Sequence, residues 1–423
     1  MLFTISSMKY KHRIIESKIR RYFESFSCVL LTGARQSGKS TLLQHLFGSH
    51  IKSFTFDPVQ DLYGARADPE LFLRNNPAPL ILDEIQYAPE LIPALKRYVD
   101  ANRVPGLFLI TGSQQWEVMR NLSESLAGRV AIIDLPAFSL SEQEEDDGLN
   151  WFSYWMENAD SFPAAASARI LRGTSFGLSP TRLIWQGCYP EVQNLSSDVI
   201  PGWMRGYIST YLQRDVRSLL AVKDETQFGA FLGLCAALTA QECNYSQMGR
   251  DIGLSTPAVQ NWISALRGTF QWLEMPAFSR NPIKKLSQKP KGYLSDTGLA
   301  CYLLRLASPE AVLGHPLFGA LFETFVALDL MKQVQRLETL PAFHHFRLHS
   351  GAEVDLVAEI NGKFLPIEIK AASKVKSGDV DGITRFQNLV GKQAGAGLIV
   401  YGGKEALRVS DSCLAVPFDL KLI

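Results

Sequence analysis

The stretch Cys28-Val29-Leu30-Leu31-Thr32-Gly33-Ala34-Arg35-Gln36-Ser37-Gly38-Lys39-Ser40-Thr41 decides the fold of the N-terminal region. Its apolar beginning predicts a buried strand. The part from Gly33 to Ser40 fits G-x-x-x-x-G-K-[ST], a phosphate-binding loop between a strand and a helix. Gly33 and Gly38 let the backbone turn where a side chain would block a phosphate. The helix that follows would present N–H groups and the positive end of its dipole to the anion.

This loop predicts a site for ATP and Mg²⁺. We expect Lys39 to reach the β- and γ-phosphates and Ser40 to bind Mg²⁺ through its hydroxyl. An accidental glycine turn is the alternative, but the apolar strand before the loop and the apolar helical pattern after it favour the strand–loop–helix unit. The residues predicted to bind the nucleotide are Gly33, Ala34, Arg35, Gln36, Ser37, Gly38, Lys39, Ser40 and Thr41.

Composition limits the function classes. The chain has 423 residues, 46% of them hydrophobic and 20% charged, which predicts a folded protein of about two to four domains. A net charge of +1 excludes a global basic field, so a nucleic-acid partner would need a local patch. The six scattered cysteines predict reduced thiols. Without a long apolar run or a signal peptide, we expect a cytoplasmic protein that does not enter a membrane.

Residues 8–23 carry isoleucines at near-helical spacing among several basic residues, including Arg13. This pattern predicts a basic amphipathic helix beside the nucleotide-binding region. Its charged face is expected to be solvated, and DNA contact is the alternative.

A second motif, Leu80-Ile81-Leu82-Asp83-Glu84, predicts a strand that ends in two acids beside the phosphate loop. Asp83 would hold Mg²⁺ through its water shell, and Glu84 would orient and polarise the attacking water. An acidic pair at a strand end is ordinarily a solvated turn. The upstream phosphate loop is what favours the catalytic interpretation here.

A further apolar strand runs from Leu107 to Ser113 and ends in small polar residues. Ser113 or Thr111 would lie between the acidic and phosphate elements and sense the γ-phosphate. A hydroxyl that caps the next helix is the alternative. Together with the strand from Val130 to Leu135, these apolar strands alternate with helices. They predict an α/β fold with a parallel sheet that is covered on both faces.

Several segments resemble a large, uncharacterised family of prokaryotic AAA-type ATPases: GARQSGKSTL, ILDEIQYAPEL, LITGSQQ, SLAGR and LPAFSLSE. In that family the core precedes a C-terminal domain of unknown function, so the resemblance implies an AAA+-like core over residues 1–140. It also implies that Arg129 acts as an arginine finger in a neighbouring subunit of a homo-oligomer. A surface arginine at a helix end is the alternative.

Residues 141–227 are expected to form a linker and a helical lid. The runs WQGCYPE and GYISTYLQRD resemble lid segments of that family, with Cys188 where a glycine is expected. Arg205 or Arg214 would then contact the nucleotide. A salt bridge of Arg214 with Asp215 is the alternative.

Residues 228–300 predict a winged helix. A short helix ends at Gly253, and the next helix carries an apolar stripe opposite Gln260 and Asn261, as a recognition helix would. DNA contact is one interpretation of this segment, and packing against the ATPase core is the other. The cations that would suit a phosphate-contacting wing are Arg280, Lys284, Lys285, Lys289 and Lys291.

Residues 301–423 predict an α/β domain with four charged side chains of interest. Asp355 lies in an apolar strand, Glu368 and Lys370 share one face of the next strand, and Glu323 lies in the preceding helix. Such charges are costly unless they serve one another or a metal. The set resembles the PD-(D/E)XK nuclease fold, which implies that the three carboxylates bind Mg²⁺ and that Lys370 orients the attacking water. A buried salt-bridge cluster is the alternative.

These patterns predict a cytoplasmic, Mg²⁺-dependent ATPase that is associated with DNA through its winged helix and C-terminal domain. Under the control of ATP, the nuclease-like domain would either cleave DNA as a Mg²⁺-dependent endonuclease or only bind it. The alternative is a nucleotide-dependent regulatory switch whose C-terminal domain is a non-catalytic protein- or DNA-binding platform. A DNA-translocating motor is a third interpretation, and it requires a closed ring. The predicted division is an ATPase core over 1–140, a linker and lid over 141–227, a winged helix over 228–300 and a nuclease-like domain over 301–423.

Overall fold

The structure is a computed structural model, and it describes residues 10–61, 63–112, 124, 126–158, 165–211, 225–279, 289–348 and 351–423. These residues form two compact units. The first unit is His12–Ala137 with Ala265–Gln271, and the second contains Phe138–Ser264 and Trp272–Ile423. The four-domain division of the chain stays a prediction.

A five-stranded parallel sheet forms the centre of the first unit. Its strands are β1 (Cys28–Thr32), β2 (Lys52–Thr55), β3 (Leu80–Asp83), β4 (Phe108–Gly112) and β5 (Val130–Asp134). The order across the sheet is β2-β3-β4-β1-β5. The strand before the phosphate loop, β1, therefore pairs in parallel with β4 on one side and with β5 on the other.

The strands of this sheet are apolar along most of their length. Every residue of β1, β3 and β4 is buried, which is the pattern of a parallel sheet covered on both faces. The predicted α/β fold of this region is therefore confirmed. The described helices of the unit are Glu16–Phe23, Lys39–Phe47, Pro69–Asn75 and Leu91–Asn102, with a short 3-10 helix at Ile85–Tyr87.

The basic segment before β1 differs from its prediction. The pattern predicts a helix over residues 8–23, but the described helix begins at Glu16. The Glu16 carboxylate accepts the backbone N–H of Arg13 at 2.7 Å, so the chain turns there rather than continuing a helix backward. Arg13 is also only 6% exposed, so it does not belong to a solvated face.

The second unit begins with a helical region. Its described helices here are Leu140–Glu144, Trp151–Glu157, Ala165–Arg172, Pro180–Gln186 and Ile200–Tyr211, with 3-10 turns at Asp147–Leu149 and Val192–Asn194. Two short strands, β6 (Thr174–Ser175) and β16 (Leu420–Lys421), pair antiparallel. The last residues of the chain therefore lie against the predicted lid.

A helical and antiparallel segment follows. Its described helices are Glu225–Ala237, Tyr245–Ile252 and Thr256–Gly268. Its strands are β7 (Gln241–Glu242), β8 (Trp272–Met275) and β9 (Lys291–Leu294), in the order β7-β9-β8. This succession of elements is the one that a winged helix requires, and the winged helix stays a prediction.

A six-stranded sheet forms the C-terminal part of the second unit. Its strands are β10 (Ala342–Arg347), β11 (Glu353–Ile360), β12 (Lys363–Lys370), β13 (Gly397–Tyr401), β14 (Leu407–Ser410) and β15 (Cys413–Pro417), in the order β10-β11-β12-β13-β15-β14. The first three strands pair antiparallel, and β13 is parallel to β12. Asn361 and Gly362 turn between β11 and β12 with φ of 50° and 71°, as the Asn-Gly pair predicts.

Two longer helices accompany this sheet. Phe318–Gln333 precedes β10, and Asp381–Val390 lies between β12 and β13 in the chain. The remaining described helices are Thr297–Leu303 and Pro309–Leu313, with 3-10 turns at Val334–Arg336, Ser377–Val380 and Gly391–Gln393. Among the described helices, none is long and apolar enough to cross a membrane.

Buried charges tie the backbone at Phe138 and Leu140 to the helix Phe318–Gln333. Lys332 donates to the carbonyl of Phe138 at 3.1 Å, and Asp329 accepts the N–H of Leu140 at 2.6 Å. Asp296 accepts the N–H of Cys188 at 2.6 Å. Burial raises the pKa of the Cys188 thiol to about 11, an effect that Lys332 opposes. Cys188 is therefore a neutral thiol in a polar contact region of the second unit.

Candidate functional site

The phosphate loop depends on glycines in conformations that other residues avoid. Gly33 has φ +144° and Gly38 has φ +92°. A Cβ at Gly33 would lie 2.2 Å from the carbonyl oxygen of Leu135, so this position needs glycine for space as well as for its torsion. Gly38 leads into the helix Lys39–Phe47, whose first turn provides N–H groups and the positive end of a dipole.

Lys39 is held by the carbonyls of its own loop. Its ammonium is buried and donates to the carbonyl oxygens of Gly33 at 2.9 Å and Ala34 at 2.8 Å. Within the loop, Gln36 has a positive φ of 62°. These contacts place the positive charge inside the predicted phosphate cradle. Ser113, the other predicted nucleotide contact, lies outside the described residues.

Asp83 is the centre of the candidate site. One of its oxygens, Oδ1, accepts the hydroxyls of Ser40 at 2.8 Å and Thr111 at 2.5 Å. The other, Oδ2, accepts the hydroxyl of Thr55 at 3.2 Å. All three donors are neutral hydroxyls, so none of them brings a positive charge to the carboxylate. Hydroxyl and carboxylate oxygens are the ligands that Mg²⁺ prefers, so Ser40 and Asp83 fit the predicted ion.

Glu84 follows Asp83 in a left-handed conformation with φ of 58°. Its N–H donates to the hydroxyl of Thr111 at 3.0 Å, and the side-chain amide of Gln86 donates to its carboxylate. Thr111 therefore contacts both predicted acids, accepting from one and donating to the other. The sequence indicates Thr111 as a phosphate sensor or a helix cap and gives no sign of a role for Thr55. The available signal was that both threonines stand near the carboxyl ends of strands beside β3.

Arginine side chains brace the phosphate loop. Arg13 donates to the carbonyl of Ser37 at 2.9 Å and to the carbonyl of Pro136 at 2.7 Å. It thus ties the loop to the residues that follow β5. Arg35 donates to the hydroxyl of Tyr87 at 2.9 Å, beyond the end of β3. The role of Arg13 was not predictable from the sequence, because a basic helical pattern gives no sign that one of its cations is buried.

Arg129 is paired within its own unit. Its guanidinium lies 2.6 Å from Oδ1 of Asp100, and its side chain is 35% exposed. The finger role of Arg129 stays a prediction. Arg205 lies exposed on the helix Ile200–Tyr211, and Arg214 lies outside the described residues.

The C-terminal sheet brings two of the predicted carboxylates together. Leu356 on β11 pairs with Ile367 on β12, so Asp355 and Glu368 are the next opposed positions and share one face. Asp355 Oδ2 accepts the N–H of Ile369 at 2.9 Å. Lys370 donates to Glu368 Oε1 at 2.5 Å.

Lys291 joins this cluster from β9. Its ammonium lies 2.5 Å from Glu323 Oε1 and 3.1 Å from Asp355 Oδ1, and its side chain is only 13% exposed. The predicted role of Lys291 as a phosphate contact of the wing is therefore wrong, because its charge is engaged inside the unit. Lys289 is exposed, whereas the other wing cations, Arg280, Lys284 and Lys285, lie outside the described residues.

Burial strongly raises the pKa of two carboxylates in this cluster, Glu368 and Glu323. Burial raises the pKa of Glu368 to about 8, with a further contribution from Asp355 and an opposing one from Lys370. Burial and then Asp355 raise the pKa of Glu323 to about 8, while Lys291 and Tyr293 oppose the shift.

A divalent metal does not fit this arrangement. Among the described residues, no group of three or more His, Cys, Asp or Glu side chains is arranged to hold a metal ion. The cation between Glu323 and Asp355 is the ammonium of Lys291. Mg²⁺ bound by Asp355 and Glu368, as the nuclease resemblance implies, therefore disagrees with the contacts of these residues.

Replacing Glu368 by Gln should change how stability depends on pH. The pKa of Glu368 is about 8 in the folded protein and 4.5 ordinarily, so the folded state retains a proton that the unfolded chain releases. The stability contributed by this group is present below about pH 4.5 and is lost as the pH rises towards 8. The free energy of unfolding of Glu368→Gln, relative to wild type, should therefore rise from about pH 5 to 8 in urea titrations. Glu405→Gln, an exposed control, should show no rise, and a flat difference for Glu368→Gln would contradict the burial effect.

Replacing Thr111 by Val should weaken the binding of Mg²⁺ together with ATP. The variant removes a donor to Asp83 and the acceptor for the Glu84 N–H while keeping the side-chain shape. Loss of such a supporting contact typically reduces metal affinity about 10- to 100-fold. Titration of ATP binding against Mg²⁺ measures the effect, and Thr111→Ser should retain near-normal affinity. Equal Mg²⁺ affinity in Thr111→Val and wild type would argue against this role of Thr111.

Known protein families match most of the chain. Residues 25–144 match the AAA domain, residues 179–310 a domain of unknown function (DUF8612), and residues 318–420 another domain of unknown function (DUF4143). Among solved structures, the Walker-type ATPase PABY2304 of Pyrococcus abyssi is 14% identical, covers 72% of this chain and 100% of its own, and has a TM-score of 0.41. The RuvB Holliday junction branch migration motor of Thermotoga maritima is 17% identical, with coverage of 65% and 94% and a TM-score of 0.29. Both TM-scores are low, so neither structure informs the function of this chain.

Two mycobacterial relatives match nearly the whole chain. They are the uncharacterized proteins Rv2008c of Mycobacterium tuberculosis and Mb2031c of Mycobacterium bovis. Each is 30% identical over 419 residues, an alignment that covers 98% of this chain and 85% of the relative. The AAA domain match covers the phosphate loop, and the C-terminal match is to a domain of unknown function. At this identity and coverage the chain belongs to the family of Rv2008c, a P-loop ATPase family with a C-terminal domain of unknown function.

Proposed function

We propose that this protein hydrolyses ATP with Mg²⁺ at the phosphate loop. The observation that carries the proposal is the carboxylate of Asp83, which accepts hydroxyls from Ser40, Thr55 and Thr111. These contacts hold a negative charge beside a loop that ends in a buried lysine, Lys39. Such a combination suits a nucleotide whose phosphates are accompanied by a metal ion.

Different residues of the site would bind the phosphates, hold Mg²⁺ and activate the attacking water. Lys39 and the N–H groups that follow Gly38 would bind the phosphates, and Ser40 and Asp83 would hold Mg²⁺. Mg²⁺, when bound, neutralises phosphate charge. The carboxylate of Glu84, restrained by the amide of Gln86, would orient the attacking water and accept its proton.

A homo-oligomer would add Arg129 to this site. The guanidinium of Arg129 is partly exposed and bound to Asp100. Acting as a finger would require it to exchange Asp100 for the phosphates of a neighbouring subunit. We therefore propose the finger role only for an assembled form of the protein.

The roles of Lys39 and Glu84 can be separated by two variants. Lys39→Ala should abolish nucleotide binding in calorimetry. Glu84→Gln should bind ATP normally but release phosphate about 10²- to 10⁴-fold more slowly, because the amide cannot accept the proton. Glu70→Gln, an exposed glutamate paired with Arg97, is the control and should hydrolyse ATP normally. Normal turnover in Glu84→Gln would remove Glu84 from the mechanism.

We further propose that the C-terminal part of the chain binds DNA without cutting it. The exposed Gln260 and Asn261, opposite the buried Val259 and Ile263, support a DNA-reading face on the helix Thr256–Gly268. A nuclease-like fold is supported by the order of the elements between residues 318 and 401. They are a helix, three antiparallel strands, a second helix and a further strand. The engagement of Asp355 by Lys291 favours the non-catalytic alternative over cleavage.

The protein should therefore bind DNA without cleaving it. Full-length protein should bind duplex DNA in fluorescence anisotropy, and Gln260→Ala with Asn261→Ala should weaken binding about 5- to 100-fold, as loss of base contacts would. Incubation of the same DNA with Mg²⁺ and ATP should leave it intact on a gel. Cleavage that disappears in Asp355→Ala would contradict the non-catalytic interpretation. Equal binding by the double variant would exclude this helix as the DNA contact.

A further inference from the structure

A cleft of about 420 Å³ opens in the second unit beside the helix Thr297–Leu303. Buried apolar side chains line it, among them Trp185, Met204 and Leu306. Sites for small molecules typically have volumes of about 300–1,000 Å³, with apolar walls and a few polar groups that orient the ligand. The cleft therefore has the size and the lining of a site for a small, largely apolar molecule.

Close contacts between two helices hold the walls of the cleft. A Cβ at Gly298 would lie 2.5 Å from the carbonyl oxygen of Gln186, so the helix Thr297–Leu303 packs tightly against the end of the helix Pro180–Gln186. The indole N–H of Trp185 donates to the carbonyl of Leu306 at 2.9 Å, which fastens the residues after one helix to the other. The cleft is therefore preformed, and a ligand would not need to open it.

Arg305 lies in this lining in a conformation that glycine ordinarily adopts. The helix ends in a Schellman motif. The N–H of Leu306 bonds to the carbonyl of Cys301 at 2.9 Å, and the N–H of Arg305 bonds to that of Tyr302 at 3.0 Å. This motif places Arg305 at the left-handed position, with φ of 59°. Since strained residues concentrate at binding sites and other functional positions, the strain points to a function of the Arg305 side chain.

The charge of Arg305 gives a second, independent sign of a ligand. Arg305 is exposed, and it is the only charged residue among the described residues that line the cleft. Within the described part of the chain, its guanidinium forms no ion pair and no hydrogen bond. A guanidinium can donate two parallel hydrogen bonds to a carboxylate. An apolar cleft with one such cation suits a ligand that has an apolar body and a carboxylate.

We propose that this cleft binds a small amphipathic carboxylate, with the apolar body of the ligand against Trp185 and Met204 and its carboxylate on Arg305. The apolar body would be an aliphatic or aromatic group of a size that the cleft admits. The inference rests on neither ATP hydrolysis nor DNA binding, because none of these residues contributes to the candidate ATPase site or to the C-terminal carboxylates.

Calorimetry with octanoate on the full-length protein tests the proposal. Octanoate should bind wild type, and Arg305→Gln should weaken this binding about 10- to 100-fold, as the loss of a charge-assisted hydrogen bond would. Octanamide, which has the same chain without the charge, should bind wild type and Arg305→Gln equally. Leu303→Ala, which shortens a half-buried apolar side chain of the lining, should weaken the binding of both compounds. Arg408→Ala, which removes an exposed arginine of β14, should match wild type.

Arg305→Gly separates the backbone strain from the charge. Glycine adopts the left-handed conformation without strain, so this variant should melt at a higher temperature than wild type while binding octanoate as weakly as Arg305→Gln. A lower melting temperature would remove the argument from strain. The proposal would be overturned if octanoate failed to bind wild type at millimolar concentration, or if it bound both Arg305 variants as tightly as wild type. If Arg305→Gln does not fold, judged by circular dichroism, the affinity of Arg305→Gly decides.

Discussion

The candidate ATPase site depends on the carboxylate of Asp83, which accepts hydrogen bonds from three neutral hydroxyls of the described residues. Asp83 ends β3, Thr55 ends β2, Thr111 lies near the end of β4, and Ser40 opens the helix after the phosphate loop. These side chains meet because parallel strands in the order β2-β3-β4-β1 bring their carboxyl ends to one edge of the sheet. A different strand order would leave each motif intact in sequence and the site unformed.

In the second unit, a carboxylate on a buried strand is paired with a cation instead of being held by hydroxyls alone. Asp355, like Asp83, lies on a buried strand, but it is bonded to the ammonium of Lys291 rather than to hydroxyls alone. A carboxylate held by neutral donors retains a charge for a metal, whereas one held by an ammonium has already been compensated. The identity of the donor, rather than the presence of the acid, therefore separates a metal ligand from a structural ion pair.

Local patterns predicted the parts of the structure that local physics determines. The glycines of the phosphate loop and the Asn361-Gly362 turn follow from backbone torsions, and the apolar strands follow from burial on both faces. Arg13 and Lys291 could not be placed in the same way. Each is separated from its partners by many residues, from Arg13 to Pro136 and from Lys291 to Asp355, and both lie in basic segments that are ordinarily solvated. Only tertiary packing reveals which cation of such a segment is buried.

The helix Phe318–Gln333 connects two parts of the second unit. It is buried along most of its length, and it carries Glu323 near one end and Asp329 and Lys332 near the other. One end thus contacts the Lys291 cluster, and the other holds the backbone at Phe138 and Leu140. A close-packed helix moves as a rigid rod, and at 1.5 Å per residue these contacts lie about 9 to 14 Å apart along its axis. A displacement of the backbone at Phe138 and Leu140 that moved this helix would therefore also move the carboxylate of Glu323, which is paired with Lys291.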